Sequence, residues 1–127
     1  MIQKIIKGSI VIALTGFLLL GLNFYRTEHS QVPIKSIDKD KIQLFYRDDC
    51  PDCKKIFKQI YLHNLIKQDI QFINLKPINN RHYIDEYTIH TVPTFIHKNK
   101  RYAGTQKEKI KEILKWITKP YKKEKKH

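Results

Sequence analysis

Residues 42–53 read Ile42-Gln43-Leu44-Phe45-Tyr46-Arg47-Asp48-Asp49-Cys50-Pro51-Asp52-Cys53. The first five residues form a short β-type run bounded by charge. Downstream, Cys53, Ile56, Phe57, Ile60 and Asn64 fall on one helical stripe, with Tyr61 beside it. Pro51 suits the first helical turn, where its missing N–H costs nothing. The cysteine pair therefore lies at a strand-to-helix junction, with Cys50 at the helix N-terminus. Thiol chemistry needs that placement. A thiolate must attack a disulfide, and the positive end of a helix favours negative charge. A second thiol one turn on can then attack the mixed disulfide and release the product.

Working outward, Ile70–Leu75 is a second strand, and Asn79 or Asn80 can cap a short helix carrying Tyr83, Ile84 and Tyr87. Thr91–His97 is a third strand with a proline near its start. Lys98-Asn99-Lys100 is a three-residue turn in which Asn99 can adopt a left-handed conformation. Arg101–Ala103 is a short edge strand, and Gly104 breaks the chain. Thr105 and Glu108 fit a capping box. Ile110, Ile113, Leu114 and Ile117 then make the last helix amphipathic. The order β-α-β-α-β-β-α predicts an α/β fold with a mixed four-stranded sheet. The first strand pair is parallel, the last is an antiparallel hairpin, and helices cover both faces.

The N-terminal region stands apart. Residues 8–25 carry no charged side chain, are apolar all round, and span about 27 Å as a helix, close to the hydrocarbon thickness of a bilayer. Lys4 and Lys7 precede the run and Phe24-Tyr25 close it. The residues after Leu20 fit a signal-peptidase site poorly, so an uncleaved signal anchor is expected. Its denser positive flank should stay cytoplasmic, leaving the rest of the chain outside, where disulfides persist. The organisation expected is a cytoplasmic N-terminus (1–7), a transmembrane anchor (8–25), a linker (26–40), a folded domain (41–118) and a basic disordered tail (119–127) holding five lysines.

Composition removes several classes. The 127 residues hold 25 Lys+Arg against 12 Asp+Glu, a net charge of +13, and 41% are apolar, enough for a small core. Two cysteines exclude a disulfide-rich mini-protein and a four-cysteine zinc site. A Cys-x-x-Cys can be half of a zinc site completed by His63, His82, His90 or His97. No histidine pair follows at zinc-finger spacing, however, and no metal or other cofactor is expected. The basic residues are spread along helices and the tail without a basic-aromatic motif, so nucleic acid is not an expected partner. A solvated surface, or attraction to anionic headgroups or wall polymers, accounts for the charge.

Taken together, Phe45-Tyr46, Cys50-Pro51-Asp52-Cys53, the stretch Tyr87–Phe95 with Val92-Pro93-Thr94, and Gly104 before the final helix resemble the thioredoxin-like pattern over residues 41–118. The resemblance implies a thioredoxin-like fold with a cis Val92–Pro93 bond facing the cysteine pair. It also implies a redox-active Cys50–Cys53 pair, Cys50 attacking and Cys53 resolving, and a substrate platform at Val92 and Pro93. Thioredoxins proper carry Trp before the first cysteine and Gly-Pro between the two. Here Asp49 precedes Cys50, and Pro51 and Asp52 intervene. Asp49, Pro51 and Asp52 are candidate tuning residues; capping and dipole complementation explain the acids equally well. Thioredoxins also bury an acid six residues before the first cysteine, where this chain has Leu44.

The chain looks like the small membrane-anchored thioredoxin-like proteins of Gram-positive bacteria, and more narrowly like accessory proteins of secreted bacteriocins. The expected function is extracytoplasmic thiol-disulfide oxidoreduction, forming, reducing or rearranging disulfides in secreted proteins or peptides. A monomer working with a separate redox partner is expected. The alternative is a non-catalytic adaptor or metal-binding module for a secretion partner.

Overall fold

A computed structural model describes residues 1–117. The chain divides into two units, residues 1–30 and the remainder.

The first unit is one helix, α1, Ile2–Glu28. It extends beyond the uncharged run at both ends and is long and apolar enough to cross a membrane. None of its side chains is buried.

Of the stretch read as a linker, 26–40, the first three residues extend α1, and the part that opens the second unit, from residue 31, has no regular structure but is tied down. The Ile34 N–H donates to Asn80 Oδ1 at 2.8 Å, and Tyr83 donates its hydroxyl to the Ile34 carbonyl at 2.6 Å. Ile34 and Ile37 pack against the buried cluster of Phe45, Ile73, Leu75, Tyr83, Ile89 and Ile96. The segment therefore adds to the core instead of merely spanning a gap.

Strand β1 is Ile42–Tyr46, helix α2 Pro51–Lys67, β2 Ile70–Asn74, α3 His82–Glu86, β3 Thr94–His97, β4 Lys100–Ala103 and α4 Lys107–Ile113, with a single 3-10 turn at Ile78–Asn80. The sheet order is β2-β1-β3-β4; β1 runs parallel to β2, and the other two pairings are antiparallel. This is the mixed, helix-flanked sheet of a thioredoxin-like fold. Every residue of the central strand β1 is buried, because both of its faces are covered. On one face Tyr46 and Phe72 meet Phe57 of α2, with Phe57 5.1 Å from each ring. On the other, Phe45 meets Tyr87 at 5.2 Å.

Several local expectations are corrected. Neither Asn79 nor Asn80 caps α3: Arg81 holds that position and no side chain caps it. Asn80 is buried and spends its amide elsewhere, on Ile34 and Val32 far away in sequence and, through Nδ2, on the Asn74 carbonyl at 3.0 Å. The β3–β4 loop has two residues, since His97 pairs with Lys100, and the left-handed residue is Lys98 instead of Asn99. The Thr105–Glu108 box does not form. The helix starts one residue later, with Gln106 at the cap, and the Gln106 N–H donates to the Tyr102 hydroxyl at 3.2 Å. The ladder of β3 begins at Thr94 because Pro93 has no N–H to contribute. Helix α4 closes at Ile113, so Ile117 follows it in a turn. The tail expected to be disordered, 119–127, lies outside the described residues, as does Thr118.

Candidate active site

Strand β1 ends at Tyr46, and four residues carry the chain to α2. The Cys50 backbone is extended (φ −92°, ψ 119°) and occupies the helix N-cap. Its sulfur takes the place of the usual Ser or Asp oxygen, accepting the Cys53 N–H at 3.4 Å. The atom at the positive end of α2 is thus a sulfur, where the helix favours negative charge. Both cysteines are free thiols, Cys50 half-buried and Cys53 buried. Burial pushes the Cys53 thiol up to about 12, against a backbone hydrogen bond from Arg47 that pulls it down. The two sulfurs thus differ in access and in environment.

The second element of the site is the loop leading into β3. Val92–Pro93 is a cis peptide bond. The Cys50 thiol points to the Val92 carbonyl oxygen at 3.8 Å, so residues 42 positions apart meet. Pro93 is buried and Val92 half-buried. The loop is pinned from three directions. Arg101 of β4 donates to the Tyr87 and Thr88 carbonyls, the Thr94 hydroxyl donates to the Thr91 carbonyl at 2.6 Å, and the Gly104 N–H donates to the Pro93 carbonyl at 3.2 Å. Gly104 has φ +146°, a backbone that suits glycine.

The acids around Cys50 are each engaged. Asp49 receives a two-pronged contact from Arg47, both bonds at 3.1 Å; this hydrogen bond and the guanidinium charge hold its carboxyl below the usual range and raise Arg47. Asp52 lies 3.3 Å from Lys55 on the exposed side of α2. Pro51 is exposed at the first helical position. Asp48 is buried, and Lys76 reaches to within 3.6 Å of its carboxylate. Helix-start capping or tuning, the readings open to the acids around Cys50 from sequence, gave no sign of the burial of Asp48 or of the approach of Arg47 and Lys76. Only the Arg47-x-Asp49 spacing hinted at a pair. Leu44 is fully buried among apolar neighbours, facing Phe72 and Phe95 across the sheet.

The histidines do not gather at the cysteines. His63 pairs with Asp69 at 2.9 Å, and His97 Nδ1 lies 3.1 Å from the Lys41 carbonyl. Among the described residues no three His, Cys, Asp or Glu side chains converge on a point.

The strand order, the parallel first pair and the Cys-x-x-Cys at the start of α2 define a thioredoxin-like fold, the type that carries thiol-disulfide oxidoreductases. A similar solved structure is that of thioredoxin 1 from the thermophilic eubacterium Thermosipho africanus. It is 30% identical, with 61% of this chain and 90% of that chain covered, at a TM-score of 0.48. No protein-family model matches the chain, and no curated protein does.

Proposed function

We propose that the protein is a membrane-anchored thiol-disulfide oxidoreductase acting outside the cytoplasm on secreted proteins or peptides. The observation that carries this reading is the asymmetric thiol pair: Cys50 accessible at the helix N-cap beside Val92, Cys53 buried one turn on. In the reductive direction the Cys50 thiolate attacks one sulfur of a substrate disulfide. A Cys50–substrate bond forms, and the other substrate sulfur leaves as a thiolate that takes up a proton. Cys53 then loses its proton and attacks Cys50 Sγ. The intramolecular disulfide forms and the second substrate thiol departs. The substrate has gained two electrons from the pair and two protons, one from Cys53 and one equal to that which Cys50 gave to water on ionising. Run backwards, the same steps oxidise a substrate dithiol.

In this reading Val92 and Pro93 form the platform against which substrate backbone lies, and Asp49, Pro51 and Asp52 tune the pair. The Arg47 and Lys55 contacts moderate the two acids, so they act as ion pairs more than as bare negative charges. Helix α1 supplies the anchor, with Lys4 and Lys7 in its first two turns held on the cytoplasmic side. The narrower role, assisting disulfide formation in a secreted bacteriocin, rests on sequence resemblance. The test is trapping: full-length Cys53→Ala, expressed in membranes and quenched with acid, should carry mixed disulfides through Cys50. Absence of any mixed disulfide with a disulfide-bonded peptide substrate would overturn the assignment.

A further inference from the structure

Helix α2 buries Cys53, Ile56, Phe57, Ile60 and Tyr61. The opposite side of its second half should be polar, yet it carries Leu62, Leu65 and Ile66. These stand at i, i+3 and i+4 and are 44%, 43% and 81% exposed. Three large aliphatics on one exposed turn of helix form a patch, unlike singly scattered apolar side chains. On the same stretch of helix, His63 and Lys67 line an open cleft of about 400 Å³ together with Lys111, Leu114 and Lys115. The acids near these lysines are themselves engaged, Glu112 with Lys109 at 3.8 Å. Asp69 is buried against His63, and Glu108 meets Lys111 only in an exposed pair at 3.8 Å.

We propose that this apolar turn with its lysine border is a docking surface for an anionic lipid bilayer. Aliphatic side chains bordered by lysine are the composition of an interfacial helix, whose apolar face enters the headgroup region while the cations meet lipid phosphates. The chemistry argues against a second copy of the chain. A two-fold interface would bring the same three lysines together in a protein of net charge +13. A bilayer is also the surface that α1 makes available, because a helix able to cross a membrane keeps the tethered domain at high local concentration near it. Docking here rests on the membrane-anchored part of the proposed function but not on its redox part, since it uses none of the residues around Cys50.

The test uses the full chain in lipid nanodiscs. Trp116 is the chain's single tryptophan, so Trp116→Phe with Ile66→Trp gives a reporter on the patch. In discs containing phosphatidylglycerol, brominated acyl chains should quench this reporter, and its emission should shift to the blue. In pure phosphatidylcholine the effect should be much weaker, because each lysine near an anionic surface contributes about fivefold in binding. Lys67→Gln with Lys111→Gln should reduce the quenching. Hydrogen exchange of the wild-type segment 58–68 gives a second measurement, free of mutation, and should slow in anionic discs. Unquenched emission together with unchanged exchange overturns the proposal. So does protection that vanishes when each disc holds one chain, since the patch would then belong to a second copy.

Discussion

The Cys50 thiol lies 3.8 Å from the carbonyl oxygen of Val92, while the Cys53 thiol is buried one turn further along the same helix. The contact joins the start of α2 to the loop before β3, so one sulfur faces the half-buried Val92 while the other is buried. In the proposed reaction this difference in access sets the order of attack. Cys53→Ala should accumulate mixed disulfides through Cys50, and Cys50→Ala should accumulate only traces. Non-reducing gels with mass spectrometry of the adducts read this directly. Equal trapping by the two variants would reverse the roles.

Asn80 holds together three separate pieces of chain: it accepts the Ile34 N–H and donates to the carbonyls of Asn74 and Val32. Asn80→Ala leaves the buried Asn74 carbonyl and the part-buried Ile34 N–H without the amide and should destabilise the domain by about 1–3 kcal/mol. Tyr83→Phe, which removes one hydroxyl bond to Ile34, should cost about 0.5–1.5 kcal/mol. Urea midpoints measure both. Limited proteolysis between residues 31 and 38 should accelerate in each variant, because both bonds fasten that segment.

Asn80 also shows where reading from sequence stops. The strands and helices were legible because each carries its own period, and the site was legible because Cys-x-x-Cys, Val92-Pro93 and Gly104 recur in a fixed order. An asparagine before a helical run reads equally well as a cap. That its amide instead serves residues 46 and 48 positions away leaves no local trace. The burial of Asp48 is hidden for the same reason. Its neighbours in sequence are charged, and the lysine that reaches its carboxylate, Lys76, arrives only after β2. The extended stretch around Val32–Ile34 lacks periodicity because its order comes from Asn80, Tyr83 and the apolar cluster, not from itself.

Gly104 should resist substitution. Its φ is +146°, and a Cβ there would lie 2.7 Å from the Tyr102 hydroxyl. That hydroxyl accepts the Gln106 N–H at the start of α4, so it cannot swing aside without releasing the helix entry. Gly104→Ala should cost about 1–3 kcal/mol, mostly from the backbone. Tyr102→Phe in the same chain relieves the close contact but not the backbone conformation. The double variant should therefore recover only a small part of the loss in thermal or urea unfolding.

The Cys53 thiol gives a signed dependence on pH. Burial raises it from an ordinary value of 9.0 to about 12 in the folded, reduced protein. Below pH 9 the thiol is protonated whether the chain is folded or not, and contributes no slope. Between about 9 and 12 the unfolded chain gives up this proton while the folded chain keeps it. The unfolded state then binds fewer protons, so stability falls as pH rises. The reduced wild-type protein should lose stability through that window faster than Cys53→Ala, which has no thiol to titrate there. The buried tyrosines, Tyr61 and Tyr83, titrate in the same direction but are common to both proteins and drop out of the difference. Urea unfolding at intervals from pH 8 to 11, under strict reduction, measures the two slopes. Parallel curves would mean that Cys53 is more hydrated than its burial indicates, and would remove the contrast between the two thiols on which the order of attack rests.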